Sequence, residues 1–275
     1  MKTAVVHDLT LNYADVGRGP VVLCIHGWAS SLLMWQRTTA LLRQTYRVIA
    51  LDLPGFGDST CPPAGFDYAP ATYAAIVEQF VQRVVDPLAP VAVIGHSMGG
   101  LIAAQLALDH RHLVGGLILA DPAITGNVGA GMGRFLRTRL GQRMIDRTRR
   151  SSWLNRAGER GWLSNPRFGR GQAAQRALRD LARAAPDAVA GSLRALLTAD
   201  LSARLGEIDV PTLIIAGAHD VTIPLAEVRR AARQIPAAHL AVVPRASHLP
   251  MDEQPELFDR LVISFLQRYM PDGDG

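Results

Sequence analysis

Cysteine is nearly absent: Cys24 falls in an apolar run and Cys61 beside a proline pair. Two such residues make no disulfide framework and fit a reducing compartment, and neither has neighbours that would make its thiol a nucleophile. No apolar run reaches the length of a membrane-spanning helix, and Met1–Tyr13 lacks the apolar centre of a secretion signal. A cytoplasmic protein is the expectation. Charged residues are scarce at 19% against 48% hydrophobic, which excludes a disordered chain and leaves enough apolar side chain for a sizeable core. Internal repeats and low-complexity linkers are missing too, so 275 residues point to one large α/β domain, with or without an insertion. His7, His110, His112, His219 and His239 show no metal-ligand spacing, and the Gly126–Gly133 run (GNVGAGMG) lacks the lysine of a phosphate loop. Neither a metal nor a cofactor is implied. The glycine run reads instead as a hinge.

Charge is present but unevenly spread. Residues 122–200 hold fifteen arginines against five acids, whereas the rest of the chain is mildly acidic. Outside that basic stretch, short apolar runs alternate with helical patterns. Strands are predicted near Thr3–His7, Leu9–Tyr13, Val21–Ile25, Arg47–Leu51, Val91–Ile94, Gly116–Ala120, Thr212–Ala216 and Leu240–Val243. Helices are predicted over Leu32–Gln44, Ala71–Val85, Met98–His110, Leu225–Gln234 and Glu256–Met270. The first two strands are close enough for a hairpin; the later ones read as βαβ units with a buried parallel sheet. Between Asp121 and Val210 the alternation stops, and arginine-rich helices take over.

Gly95-His96-Ser97-Met98-Gly99 sits where one of these strands turns into a helix. A serine on such a turn is forced toward positive φ, and its neighbours two positions away must lack bulk where strand and helix nearly touch. The turn aims the hydroxyl off the sheet edge and puts the Met98 N–H at a helix N-terminus, where anionic charge is stabilised.

With this elbow, His26-Gly27 after the third strand, the Asp52–Ser59 run (DLPGFGDS) after the fourth, and the Pro244–Pro250 run (PRASHLP) after the last, nearly the whole chain resembles the α/β-hydrolase fold family. The resemblance implies a mostly parallel eight-stranded sheet with helices on both faces. Residues 1–121 and 201–275 would form the core and 122–200 an inserted helical cap. It also implies a catalytic triad of Ser97, Asp220 and His248 in that chain order. Asp121, at the end of the sixth strand, is the rival for the acid, since some family members take it from there. The oxyanion donors would be the N–H groups of Met98 and Trp28, with His26, Gly27 and Trp28 flanking the substrate. The Asp52–Ser59 turn is expected to be structural, and His96 to pack.

Family members that open epoxides or displace halide carry aspartate at the elbow, so Ser97 disfavours those chemistries and favours acyl transfer through an acyl-enzyme. The reading is a carboxylesterase for small to medium apolar acyl groups. Rival readings are a C–C bond hydrolase of diketone-like substrates, a hydrolase of carrier-protein-bound acyl esters or thioesters, and a non-catalytic hydrolase-fold binding protein. In the cap, Phe135, Trp153 and Trp162, with Leu136, Leu140, Met144, Leu154, Leu163 and Phe168, are expected to face the cleft and the arginines to face out. A sharper reading makes the arginines a landing surface for an acidic partner such as an acyl carrier protein. No nucleic-acid motif accompanies the charge. Monomer and homodimer both stay open.

Overall fold

The computed structural model describes residues 1–85, 90–148 and 172–271. Its eight strands are β1 (Lys2–Val6), β2 (Leu9–Val16), β3 (Val21–Ile25), β4 (Arg47–Leu51), β5 (Val91–His96), β6 (Val114–Ala120), β7 (Thr212–Gly217) and β8 (Ala238–Val243). They form one sheet in the order β1-β2-β4-β3-β5-β6-β7-β8. β1 and β2 form an antiparallel hairpin, β2 meets β4 antiparallel, and every later pairing is parallel.

The strands are β-branched and apolar because both faces of the sheet are covered. Alternate residues go to opposite sides. Leu23, Ile25, Val93, Leu117 and Leu119 enter one core with helices α2 (Pro70–Val84), α3 (Met98–Asp109) and α8 (Leu225–Gln234). Val22, Cys24, Ala92, Ile94 and Ile118 enter the other, with α1 (Gln36–Leu42) and α10 (Pro255–Tyr269).

Register then sets the site. Ile25 pairs with Gly95, His96 with Ala120, and Gly217 with Val243. The loops after β3, β5, β6, β7 and β8 therefore leave a single edge of the sheet, the edge where parallel α/β folds bind ligands.

Two expectations need correction. The helix predicted over Leu32–Gln44 is a 3₁₀ turn at Leu32–Trp35 followed by the shorter α1. Side chains started that turn early: Asp52 Oδ1 accepts the Leu32 N–H at 2.7 Å, and Ser31 Oγ accepts the Leu33 N–H. Between β6 and β7 lie α4 (Ala130–Leu136), α5 (Arg139–Thr148), α6 (Gln172–Arg183) and α7 (Pro186–Thr198). On α5 Gly141 and Ile145 are buried, and Ile145 packs with Ala190 and Leu197 of α7. Leu140 and Met144, expected toward the cleft, are 60% and 50% exposed. One helical turn separates them, so they share a face, and the face that packs is the one carrying Gly141 and Ile145.

Candidate active site

β5 is buried along its whole length, and α3 is buried from Met98 to Ala107. A helix covered on every side has no freedom to roll, so the turn between them is fixed from both sides. Ser97 occupies that turn at φ +52°. Its N–H donates to Ala120 O of β6 at 2.9 Å, and its carbonyl accepts the Leu101 and Ala123 N–H groups. The close approach explains the flanking glycines: a Cβ on Gly95 would collide with the Gly99 carbonyl, and one on Gly99 with the carbonyls of Ile25 and His26.

That second contact brings the loop after β3 against the turn. Gly27 lies so near His96 that a Cβ there would stand 2.7 Å from His96 Nδ1. Met98 is the first residue of α3, so its N–H is one of the amides a helix leaves without an internal partner. Trp28 is half-buried, and its indole N–H donates to Val189 O of α7 at 3.0 Å. His26 is fully enclosed. Its Nδ1–H donates to Gly27 O at 2.7 Å, and its Nε2 accepts the Leu53 N–H at 3.0 Å. Burial holds its pKa below the usual range, so the ring stays neutral. With both nitrogens taken, His26 fastens the loop to the turn after β4 and has no polar atom to offer a ligand.

On the other side stands the loop after β8. His248 Nδ1–H donates to Asp220 Oδ2 at 2.7 Å, and both side chains are buried. Burial alone would raise the Asp220 carboxyl. The charge and hydrogen bond of His248, with the amides of Ile223 and Thr222 on Oδ1, hold it below the ordinary carboxylate range instead. The His96 Nε2–H donates to the His248 carbonyl at 2.7 Å, and the two rings lie 4.7 Å apart. Burial, then the neighbouring His248, pushes His96 down to about 3, so it stays uncharged at working pH. The histidine beside the serine thus couples the elbow to the histidine loop.

Glu253 completes that loop. It ends the short helix α9 (Pro250–Glu253), and its two oxygens accept the N–H groups of Ser247 and Leu249, on either side of His248. Asp121, the rival acid, gives Oδ1 to the Gly217 N–H at 2.9 Å and has no hydrogen bond to His248. Among the described residues, Asp121, Asp220 and His248 form the one cluster of metal-ligand type, with atoms within 4.8 Å of one another. The His248 Nδ1–H and Asp220 are already hydrogen-bonded to each other, so the cluster reads as a polar network.

The segment between β6 and β7 grips this edge. Arg176 of α6 makes a two-pronged ion pair with Asp252 at 3.2 and 2.5 Å, and Asp180 of α6 accepts from Ser30 Oγ at 3.5 Å. The Ala185 N–H donates to Gly55 O. Asp52 takes N–H donors from Asn12, Leu32 and Asp58, the structural role expected of its turn. Phe135 is half-buried on α4, whereas Trp153 and Trp162 lie outside the described residues. Sequence reasoning missed Arg176, Asp180 and the clamp of Glu253. Only Glu253 left a trace, as one of the acids following the histidine.

Residues 22–261 match the sequence pattern of the alpha/beta hydrolase family. The chain belongs to that family. It is 30% identical over 269 residues to a pimeloyl-[acyl-carrier protein] methyl ester esterase of Nitrosospira multiformis, covering 94% of this chain and 98% of that one. It is 26% identical to 3-oxoadipate enol-lactonase 2 of Acinetobacter baylyi, covering 97% of each. Among solved structures, a thermophilic esterase from Thermogutta terrifontis superimposes with a TM-score of 0.80 at 25% identity, covering 97% of both chains. Those names agree with ester hydrolysis.

Proposed function

We propose that this hydrolase is a serine carboxylesterase with Ser97 as nucleophile, His248 as base and Asp220 as the acid that orients it. The observation that carries the reading is the buried His248–Asp220 hydrogen bond, packed through His96 against the strained turn bearing Ser97. With Nδ1–H bound to Asp220, Nε2 is the nitrogen left to accept the serine proton. Ser97 Oγ attacks the ester carbonyl as its proton passes to His248. The tetrahedral oxyanion is held by the N–H groups of Met98 and Trp28. Collapse expels the alcohol, which takes the proton from the imidazolium. Water, deprotonated by the same histidine, then cleaves the acyl-enzyme to the free acid. The cap expected from residues 122–200 is supported, among the described residues, by the contacts of α6 and α7 with this edge.

The test is a chain-length series of p-nitrophenyl esters with the wild type and Ser97→Ala. Hydrolysis is expected with the wild type and lost in the variant, which should unfold at the same temperature. More than a few per cent residual activity would remove Ser97 from the role.

A second reading is favoured by a specific observation. Arg139, Arg143 and Arg147 repeat every fourth residue along α5 and are exposed beside Leu140 and Met144. Such a face suits an acidic carrier protein that presents a tethered acyl ester, the substrate named for the Nitrosospira relative. For that substrate kcat/KM should fall steeply with salt and with Arg143→Glu, whereas small neutral esters should be indifferent to both.

A further inference from the structure

Asp121 is not used in that mechanism, yet its setting is built with care. It directly follows β6 at φ +41°, a left-handed backbone for a side-chain-bearing residue, and its own N–H is fixed to Ile215 O at 2.8 Å. The residue is wholly enclosed. One oxygen accepts the Gly217 N–H, while Oδ2 is buried with no donor directed at it. The side chain nevertheless stands in the cluster where Asp220 and His248 atoms come within 4.8 Å.

Two enclosed carboxyl groups at that separation do not both ionise. Asp220 is the one held charged, by the His248 ring and two amides. Asp121 has no such pair of partners: the titratable groups around it are Asp220 on the loop after β7, Glu253 on α9, and His248 on the loop after β8, whose Nδ1–H is already given to Asp220. A bare oxygen in a fully buried site, beside a carboxylate, is matched within the protein if it carries a hydrogen.

We propose that Asp121 is a neutral carboxylic acid whose Oδ2–H donates to the Asp220 carboxylate, making it a positioning residue for the acid–histidine pair. The proposal deepens the serine-esterase reading and, for its catalytic consequence, rests on it. Asp220 is then held on every side: His248 on Oδ2, two amides on Oδ1, and Asp121 from behind. Because the proton stays on Asp121, the support comes without adding a second negative charge next to the histidine. Burial, then the charge of Asp220, drives its carboxyl pKa well above the usual range, in keeping with this assignment.

Asparagine reproduces a protonated aspartate: its oxygen still accepts from Gly217 and its NH₂ donates where the O–H did. Asp121→Asn should therefore keep kcat within about threefold of wild type, while Asp121→Ala loses about ten- to a hundredfold through a misplaced acid. A structural residue alone would not show this rescue by the amide. The second readout is stability against pH. A carboxyl whose folded pKa is raised stabilises below its unfolded value, near 3.8, and that contribution is lost as pH rises toward the folded value. The asparagine variant has no such loss, so its Tm relative to wild type should climb as pH rises from about 4. The third readout is the downfield proton resonance of the His248 Nδ1–H, expected unmoved in Asp121→Asn and shifted in Asp121→Ala.

The proposal is overturned if Asp121→Asn is as crippled as Asp220→Asn, or if its relative Tm falls with rising pH, since either result means a charged Asp121. A wild type that hydrolyses no ester sinks the esterase reading, while the Tm profile and the proton resonance still decide whether Asp121 is neutral and positions the pair. If Asp121→Ala does not fold, the asparagine variant carries the decision by itself.

Discussion

Removing the Glu253 side chain should disable the histidine without touching it. Its carboxylate accepts the Ser247 N–H at 2.8 Å and the Leu249 N–H at 3.0 Å, so the backbone on both sides of His248 hangs from one group. The histidine's carbonyl is held by His96 and its ring by Asp220. Hydrogen bonds to a charged partner contribute about 1.5–3 kcal/mol each, so two represent about 3–6 kcal/mol at full value. Glu253 is half-buried, and water entering the alanine void replaces part of what is lost. A net cost of about 2–3 kcal/mol follows, or a fall in Tm of roughly 5–10 °C for a chain of this size. The kinetic effect is separate. A loop freed to shift by a fraction of an ångström misaligns the base, and such errors cost about ten- to a hundredfold in rate. Glu253→Ala should therefore lower kcat with little change in KM for a small ester, because the clamp contacts the loop backbone. Glu253→Gln should fall between, since its NH₂ sets a donor against one of the two amides. Steady-state kinetics on the best p-nitrophenyl ester, beside thermal unfolding, measure both quantities. If Glu253→Ala loses stability but keeps kcat within about twofold, or if KM alone rises, the clamp has no part in catalysis and the reasoning fails.

Asp220→Asn should lower kcat by about 10⁴, because the amide no longer fixes the histidine tautomer, while its oxygen still accepts from Thr222 and Ile223 and preserves the loop. A rate above about a tenth of wild type would show that another group orients His248. Gly99→Ala puts a methyl group into the carbonyls of Ile25 and His26, and should cost at least 1–3 kcal/mol of stability, roughly, while prising the oxyanion loop from the elbow. Kinetics and unfolding on purified variant protein check it; near-normal turnover would mean that the two loops are not mutually positioned.

The sheet was legible because buried parallel strands must be apolar and β-branched, and runs such as Val21–Ile25 and Thr212–Gly217 have no other purpose. The elbow was legible for a steric reason: glycine at 95 and 99 records a backbone collision within a few residues of the serine. Asp220 and His248 were legible through their place after successive strands. What stayed hidden joins residues far apart in the chain. Arg176 meets Asp252, Ser30 meets Asp180, and Asp121 meets Gly217, each across a separation that no periodicity reports. Leu140 and Met144 misled because apolar identity marks a face as able to pack, and the partner on α7 decides which face does.

The same long-range contacts change how the basic stretch should be weighed. Fifteen arginines between residues 122 and 200 look like a field of positive charge on the surface. Several of those described are instead paired within the molecule. Arg137 holds the carbonyls of Gly126 and Leu197, Arg176 holds Asp252, Arg183 holds Asp58, and Arg194 holds Gln142 and Asp146. Arg176 and Arg183 tie α6 to the two halves of the active-site edge, the histidine side and the turn after β4. Arg176 and Arg183 are therefore cement between the insertion and the core, while Arg137 and Arg194 join segments of the insertion to one another. Among the described residues, a docking role falls first on the exposed row of α5. Salt should accordingly act on this protein in two ways, screening the exposed row strongly and the partly buried Arg176–Asp252 pair much less.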